Sequence, residues 1–220
     1  MQVDRQQTGR QGVADALLTI GGVGFRLQDP ITFKSGIISP VYCDNRTFPF
    51  WPAEWKLVIG GFAALIERET LAFDVIGGIE AAGIPHSAAL GYAMERSSIF
   101  IRKQAKEHGK RNRIEGGDVA GKRVLLVEDL VTTGGSSLSG VGALREAGAT
   151  VTDCLAIISY GFTEAREAFA AANVTLHTLT DFDAVLPGAL ARGLLDEAGA
   201  AAVRAWLRDP HGWAAARGTA

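Results

Sequence analysis

Cysteine is scarce in this chain: Cys43 and Cys154 lie far apart and form no CxxC pair. That argues against a disulfide framework and favours two buried free thiols in a reducing cytoplasm. Charge of one sign is lacking too. Twenty-two Lys and Arg stand against 24 Asp and Glu, a net of −2, so no global basic field draws the chain to nucleic acid or an anionic membrane. The longest nearly uninterrupted apolar stretch, LVIGGFAALI, is far too short to cross a bilayer. The opening MQVDRQQTGRQGV carries acid and no apolar h-region, so no signal peptide is expected. Neither Gly-Lys pair (109–110, 121–122) is followed by Ser or Thr, which excludes a Walker-type loop. No His/Cys/Asp cluster has ligand spacing, so no protein metal site is expected. What is present is 220 residues, 47% of them hydrophobic, enough for one sizeable core.

Five short apolar or β-branched runs recur: 71–78, 98–103, 123–129, 152–160 and 174–181. Several are apolar almost throughout, which suits strands buried on both faces of a parallel sheet. Helix-like segments at 53–69, 83–95, 135–147 and 163–172 separate or flank them, with Pro52 and Pro85 near helix starts and Gly148 at a helix end. The alternation implies an α/β fold with a central, mostly parallel sheet of about five strands flanked by helices. The first 50 residues and the Ala-rich stretch from Pro187 onward do not fit it. They are expected to cap the sheet and to form terminal helices, with the tail beyond Pro210 loose.

The stretch VLLVEDLVTTGGSS (124–137) carries the most chemistry. Ligands of open α/β sheets bind at the carboxyl ends of strands, where Glu128 and Asp129 emerge. Ionised carboxylates accept hydrogen bonds well from vicinal sugar hydroxyls. Adjacent strand residues face opposite ways, so both acids reach one ribose only if the backbone bends there. Thr132, Thr133, Gly134, Gly135, Ser136 and Ser137 then lead into a helix, where backbone N–H groups can converge on an oxyanion. Ordinary helix capping explains one or two hydroxyls, but not four with a glycine pair behind two acids. A diol grip beside an anion cradle fits a phosphorylated sugar.

This stretch resembles the phosphoribosyl-diphosphate (PRPP) signature of the type I phosphoribosyltransferases. The resemblance implies that family's fold, with an N-terminal hood over the sheet. It implies that Glu128 and Asp129 hold the ribose hydroxyls, and that Leu130 and Val131 lead into a phosphate loop of Thr132, Thr133, Gly134, Gly135 and Ser136. One domain is expected over 1–220: a hood to about residue 50, a core over 51–185, and C-terminal helices and tail over 186–220.

Three further stretches bear on the acceptor base. RKQAKEHGKRNRIEGG (102–117) holds six cations between Arg102 and Arg113 against one acid, Glu107. Most charge runs are solvated faces, and this one lacks the interleaved aromatics of a nucleic-acid site. It is similar to the flexible catalytic loop of orotate phosphoribosyltransferases. By that resemblance Arg102, Lys103, Lys106 and His108 contact the diphosphate and carry catalysis, and the loop reaches across a homodimer. FKSGIISPVYCDNR (33–46), read alone, is a short strand or hairpin. It resembles the hood segment of the same enzymes, with Lys34 toward diphosphate and orotate, and Tyr42 and Thr132 toward orotate. GGIEAAGIP (77–85) resembles the diphosphate-binding loop, though Ala82 stands where some members carry lysine. At the end of the fourth run, Tyr160 stands where certain orotate enzymes place an arginine for the orotate carboxylate.

The resemblance implies Mg²⁺-dependent transfer of ribose 5-phosphate from PRPP to orotate, the ion arriving bound to PRPP, with no nucleic-acid or membrane partner. A phosphoribosyltransferase for another base, a non-catalytic PRPP-sensing regulator and a general nucleotide-binding module remain alternatives. His86, His177, Trp51, Trp55, Trp206 and Trp213 read as packing groups.

Overall fold

The computed structural model describes residues 5–104 and 113–216. Helix α1 (Arg5–Thr19) opens the chain. The strand–helix alternation does not mark it, because Gly9 and Gly12 interrupt it and its apolar residues crowd into the second half. Val13, Ala14 and Leu17 are buried there. Four short strands follow: β1 (Val23–Phe25), β2 (Ile31–Thr32), β3 (Ile38–Ser39) and β4 (Val41–Cys43). β1 pairs antiparallel with β4, and β2 with β3. The β2–β3 turn closes through Gly36 at φ +86°, a conformation that favours glycine. A short 3₁₀ helix (Asn45–Phe50) leads into α2 (Pro52–Arg68), with proline at its first position.

The rest alternates as the apolar runs require: β5 (Val75–Ile79), α3 (Gly83–Ala93), β6 (Ser97–Ile101), β7 (Ile114–Glu115), β8 (Val124–Val131), α4 (Gly135–Glu146), β9 (Asp153–Ser159), α5 (Thr163–Ala171) and β10 (Thr175–Thr180). These strands form one sheet in the order β10-β9-β8-β5-β6-β7. Five are parallel, matching the five runs. The sixth, β7, is a two-residue antiparallel edge pairing Ile114↔Ile101 and Glu115↔Phe100. It returns from the basic stretch, too brief to leave a periodic signal.

Both faces of the sheet are covered. Leu125, Val127, Leu155 and Ile157 point into one cluster with α1, α2 and the hood; Val124, Leu126, Cys154 and Ala156 point into another with α4 and α5. The period-2 alternation of buried residues is what a sheet packed on both sides demands. Each fully buried Val or Leu contributes about 1.5–3 kcal/mol of transfer free energy, which holds β8 firmly at the sheet centre.

Helices α6 (Phe182–Ala191), α7 (Glu197–Arg208) and α8 (Trp213–Ala216) complete the chain. Pro187 lies inside α6 rather than opening a new segment. Trp206 is fully buried and its indole N–H donates to the Ile38 carbonyl at 3.0 Å, tying α7 to the hood. Of the stretch after Pro210, expected to be loose, residues 211–216 are anchored instead. Trp213 is buried and its N–H donates to the Ala202 carbonyl at 3.1 Å, so a large apolar ring holds the tail down.

Candidate active site

The two acids stand where β8 outruns its neighbour. β5 keeps register with β8 only to Gly78↔Val127. Beyond it the main-chain groups of Asp129 are taken by side chains. Its N–H donates to Glu128 Oε1 at 3.3 Å, and its carbonyl accepts from Asn45 Nδ2 at 2.8 Å. β9 keeps one register on either side of Asp129, at Glu128↔Ala156 and Leu130↔Ile158. Glu128 is buried, accepts from Ser137 Oγ at 3.4 Å, and has its carboxyl pushed well above the ordinary range by burial first and the neighbouring Asp129 charge second. Burial also raises Asp129, while hydrogen bonds with Glu128 and with main-chain N–H groups, and then the Arg46 charge, pull it the other way. Both carboxyls therefore hold a proton more readily than free carboxyls do.

Thr132, Thr133 and Gly134 form the loop between β8 and α4. Gly134 occupies the N-cap at φ +85°, and no side chain caps the helix. The first-turn N–H groups of α4 are thus open to an anion, which the helix dipole also favours. A Cβ on Gly134 would lie 2.9 Å from the Phe169 ring, so both conformation and space require glycine here. Of the four hydroxyls, Ser137 turns back to Glu128, and none acts as the cap.

Facing this loop is a cleft of about 300 Å³ lined by Lys34, Ile79, Lys103, Arg113, Ser136 and Ser139. Three residues singled out from sequence, Lys34, Lys103 and Ser136, meet there although they lie far apart in the chain. Arg102 is not among the lining residues. Its guanidinium lies 3.8 Å from Glu115, and its main-chain N–H donates to the Arg113 carbonyl at 2.7 Å. Arg113, to which sequence reasoning assigns no role, lines the cleft and donates to Ser139 Oγ at 3.0 Å. Lys106 and His108 lie outside the described residues. The loop before α3 abuts the acid pair: a Cβ on Gly83 would come within 2.4 Å of the Val127 carbonyl oxygen. Glu80 accepts from the Lys103 main-chain N–H at 2.9 Å, so the acid of that loop anchors the start of the basic stretch.

Tyr42 is partly exposed and its hydroxyl accepts from Arg46 Nη2 at 3.0 Å. Arg46 is itself held by Asp44, at 2.6 Å from Nε and 2.8 Å from Nη2. Tyr160, by contrast, is 4% exposed. It stacks between Phe162 and Phe182 at centroid distances of 5.5 and 5.4 Å, edge-on to Trp206. Its hydroxyl meets the Cys43 thiol, which burial pushes up to about 12. Tyr160 is thus a core group holding hood to sheet. A larger cleft of about 550 Å³, lined by Arg166, Arg204 and Arg208 among others, borders this aromatic cluster at Tyr160 and Phe182 and contains none of the acid-pair, phosphate-loop or basic-stretch residues. Asn45 and Arg46 are missed by sequence reasoning; their only signal is the polar Asp-Asn-Arg that ends the hood motif.

Residues 52–180 match the family model described as phosphoribosyl transferase domain. The orotate phosphoribosyltransferase of Coxiella burnetii is 43% identical over 91% of this chain and 96% of its own length. That of Bacillus caldolyticus is 41% identical over 93% of this chain and 98% of its own. Among solved structures, Leishmania donovani UMP synthase superposes with a TM-score of 0.77 at 27% identity, over 90% of this chain and 42% of that one. The orotate phosphoribosyltransferase of Aeropyrum pernix gives 0.70 at 25%, over 80% and 97%. The Mycobacterium tuberculosis orotate phosphoribosyltransferase in complex with PRPP gives 0.63 at 25%, over 80% and 98%.

Proposed function

The chain belongs to the phosphoribosyl transferase family, among its orotate phosphoribosyltransferases, and from that premise we propose how this site works. The reaction is transfer of ribose 5-phosphate from PRPP to N1 of orotate, giving orotidine 5′-monophosphate and diphosphate. The observation that carries the assignment of residues is the juxtaposition of an acid pair at the end of β8 with an uncapped helix start. The ribose diol lies against Glu128 and Asp129. The 5-phosphate settles among the N–H groups and hydroxyls of Thr132 to Ser136, where N–H donors to a charged oxygen make the stronger class of hydrogen bond.

Departure of diphosphate from the anomeric carbon builds positive charge on the ring and negative charge on the leaving oxygens. Lys34, Lys103 and Arg113 line the cleft that would receive those oxygens, and fixed cations there stabilise the charge as it develops. Lys106 and His108 join them by family resemblance, with closure of the basic loop excluding water. With Tyr160 buried, the described cations left for the orotate carboxylate include Lys34 and Arg46. Among the described residues no group of three or more His, Cys, Asp or Glu could hold a metal. Mg²⁺ would arrive held by the PRPP phosphates and would supply positive charge against the departing diphosphate.

The active unit is a homodimer. Phe50, Leu57 and Tyr92 are 81%, 52% and 91% exposed on the 3₁₀ helix, α2 and α3, and so much large apolar surface on adjoining elements suits burial against a second copy. Residues to about 50 act as the hood, 51–185 as the core and the remainder as supporting helices. Among the described residues no helix is long and apolar enough to cross a membrane, and the two buried free thiols suit the cytoplasm. Purified protein with PRPP, Mg²⁺ and each of orotate, uracil, adenine and hypoxanthine tests the reading. Orotate alone should be consumed, with stoichiometric diphosphate; turnover of another base instead would overturn it.

A further inference from the structure

Asp129 is held by a residue from another part of the chain. Past Val127 β8 has lost β5 as a partner, and a carbonyl left unpaired at a largely buried site is costly. Asn45 supplies the missing donor: it is fully buried, and Nδ2 lies 2.8 Å from the Asp129 carbonyl. We infer that Asn45 is a positioning residue, which substitutes for the absent strand and holds the main chain at Asp129 where Asp129 and Glu128 can close on one ribose. This rests on the assignment of the acid pair to ribose.

Asn45 is itself firmly placed. It begins the 3₁₀ helix, where Asp44 accepts from the Arg46 N–H at 3.2 Å and Thr47 Oγ1 donates to the Asp44 carbonyl at 2.9 Å. Phe48, one turn on, is fully buried with its ring edge-on to His86 at 6.3 Å. His86 Nδ1 accepts from the Trp55 indole N–H at 3.0 Å, so α2 and α3 together fix the short helix. The guanidinium of the next residue, Arg46, is held by Asp44, and its charge favours the ionised form of Asp129 less than hydrogen bonds with Glu128 and the main chain do. The hood thus addresses Asp129 through its main chain, by way of Asn45. A hood held this way couples its own seating to the geometry of the ribose grip.

The test compares Asn45→Ala, which removes the donor, with Asn45→Leu, which removes it at similar volume. Affinities for PRPP and for Mg-diphosphate are measured by calorimetry, and KM and kcat in the orotate assay. Both variants should weaken PRPP about tenfold, the scale of one buried group losing its partner. Diphosphate, which makes no ribose contact, should bind as in the wild type. Unchanged PRPP affinity, recovery of affinity by leucine alone, or equal loss for both ligands would overturn the positioning role. If alanine prevents folding, the leucine variant decides by the same criteria. A wild-type chain that binds no PRPP would overturn the ribose assignment itself, and this inference with it.

Discussion

His86 offers the most direct physical test of how the hood is tied to the sheet. Its imidazole is fully buried, Nδ1 accepts from Trp55, and Nε2 is buried without a hydrogen bond of good geometry. Burial lowers its pKa from 6.5 to about 4. A depressed folded-state value means that stability is fully present above pH 6.5 and is lost as pH falls toward 4. The whole span corresponds to about 3 kcal/mol, of which about 2 kcal/mol is gone by pH 5. Other groups titrate over the same range, so the informative quantity is a difference. His86→Gln keeps an acceptor for the Trp55 N–H and removes the titration. Urea unfolding followed by tryptophan fluorescence at pH 7 and pH 5 should show the wild type losing about 2 kcal/mol more than the variant. A constant wild-type–variant difference across that range would refute the claim that the buried ring stays neutral.

The phosphate loop gives a second expectation. Gly134→Ala places a Cβ at φ +85° against the Phe169 ring, a backbone cost of about 1–2 kcal/mol before the clash, and calorimetry should find PRPP binding weakened at least about tenfold. For the acid pair, Glu128 is raised by burial and by Asp129, whereas accepting from ribose hydroxyls favours its ionised form. PRPP affinity should therefore rise with pH through the raised value. Glu128→Gln should bind more weakly and lose that part of the pH dependence; parallel profiles would remove Glu128 from the ribose site. The exposed aromatic face can be probed with Phe50→Glu and Tyr92→Glu together, which should shift sedimentation from dimer to monomer. A persistent dimer would place the interface elsewhere.

Local pattern alone determines a good deal of this protein. The apolar runs at 71–78, 98–103, 123–129, 152–160 and 174–181 are continuous because their strands are covered on both faces, so the five-strand parallel frame is visible from composition and spacing. The acid pair, the hydroxyl–glycine loop and the basic stretch are contiguous, and contiguous chemistry can be read directly. Helix α1 escapes such reading because its glycines and polar first half obscure the periodicity, and its stability comes from packing rather than propensity. The edge strand β7 escapes because two residues make no pattern. Lys34, Lys103 and Arg113 share one cleft, and Asn45 reaches Asp129 across 84 positions; no local signal encodes either meeting. Tyr160 also shows the difference. As a letter at a strand end it is equally suited to binding a ligand or filling a core, and only the rings of Phe33, Phe162, Phe182 and Trp206 closing around it made it a core residue. Strand and loop chemistry follow from neighbours in the chain, whereas the grip on the acid pair depends on neighbours in space.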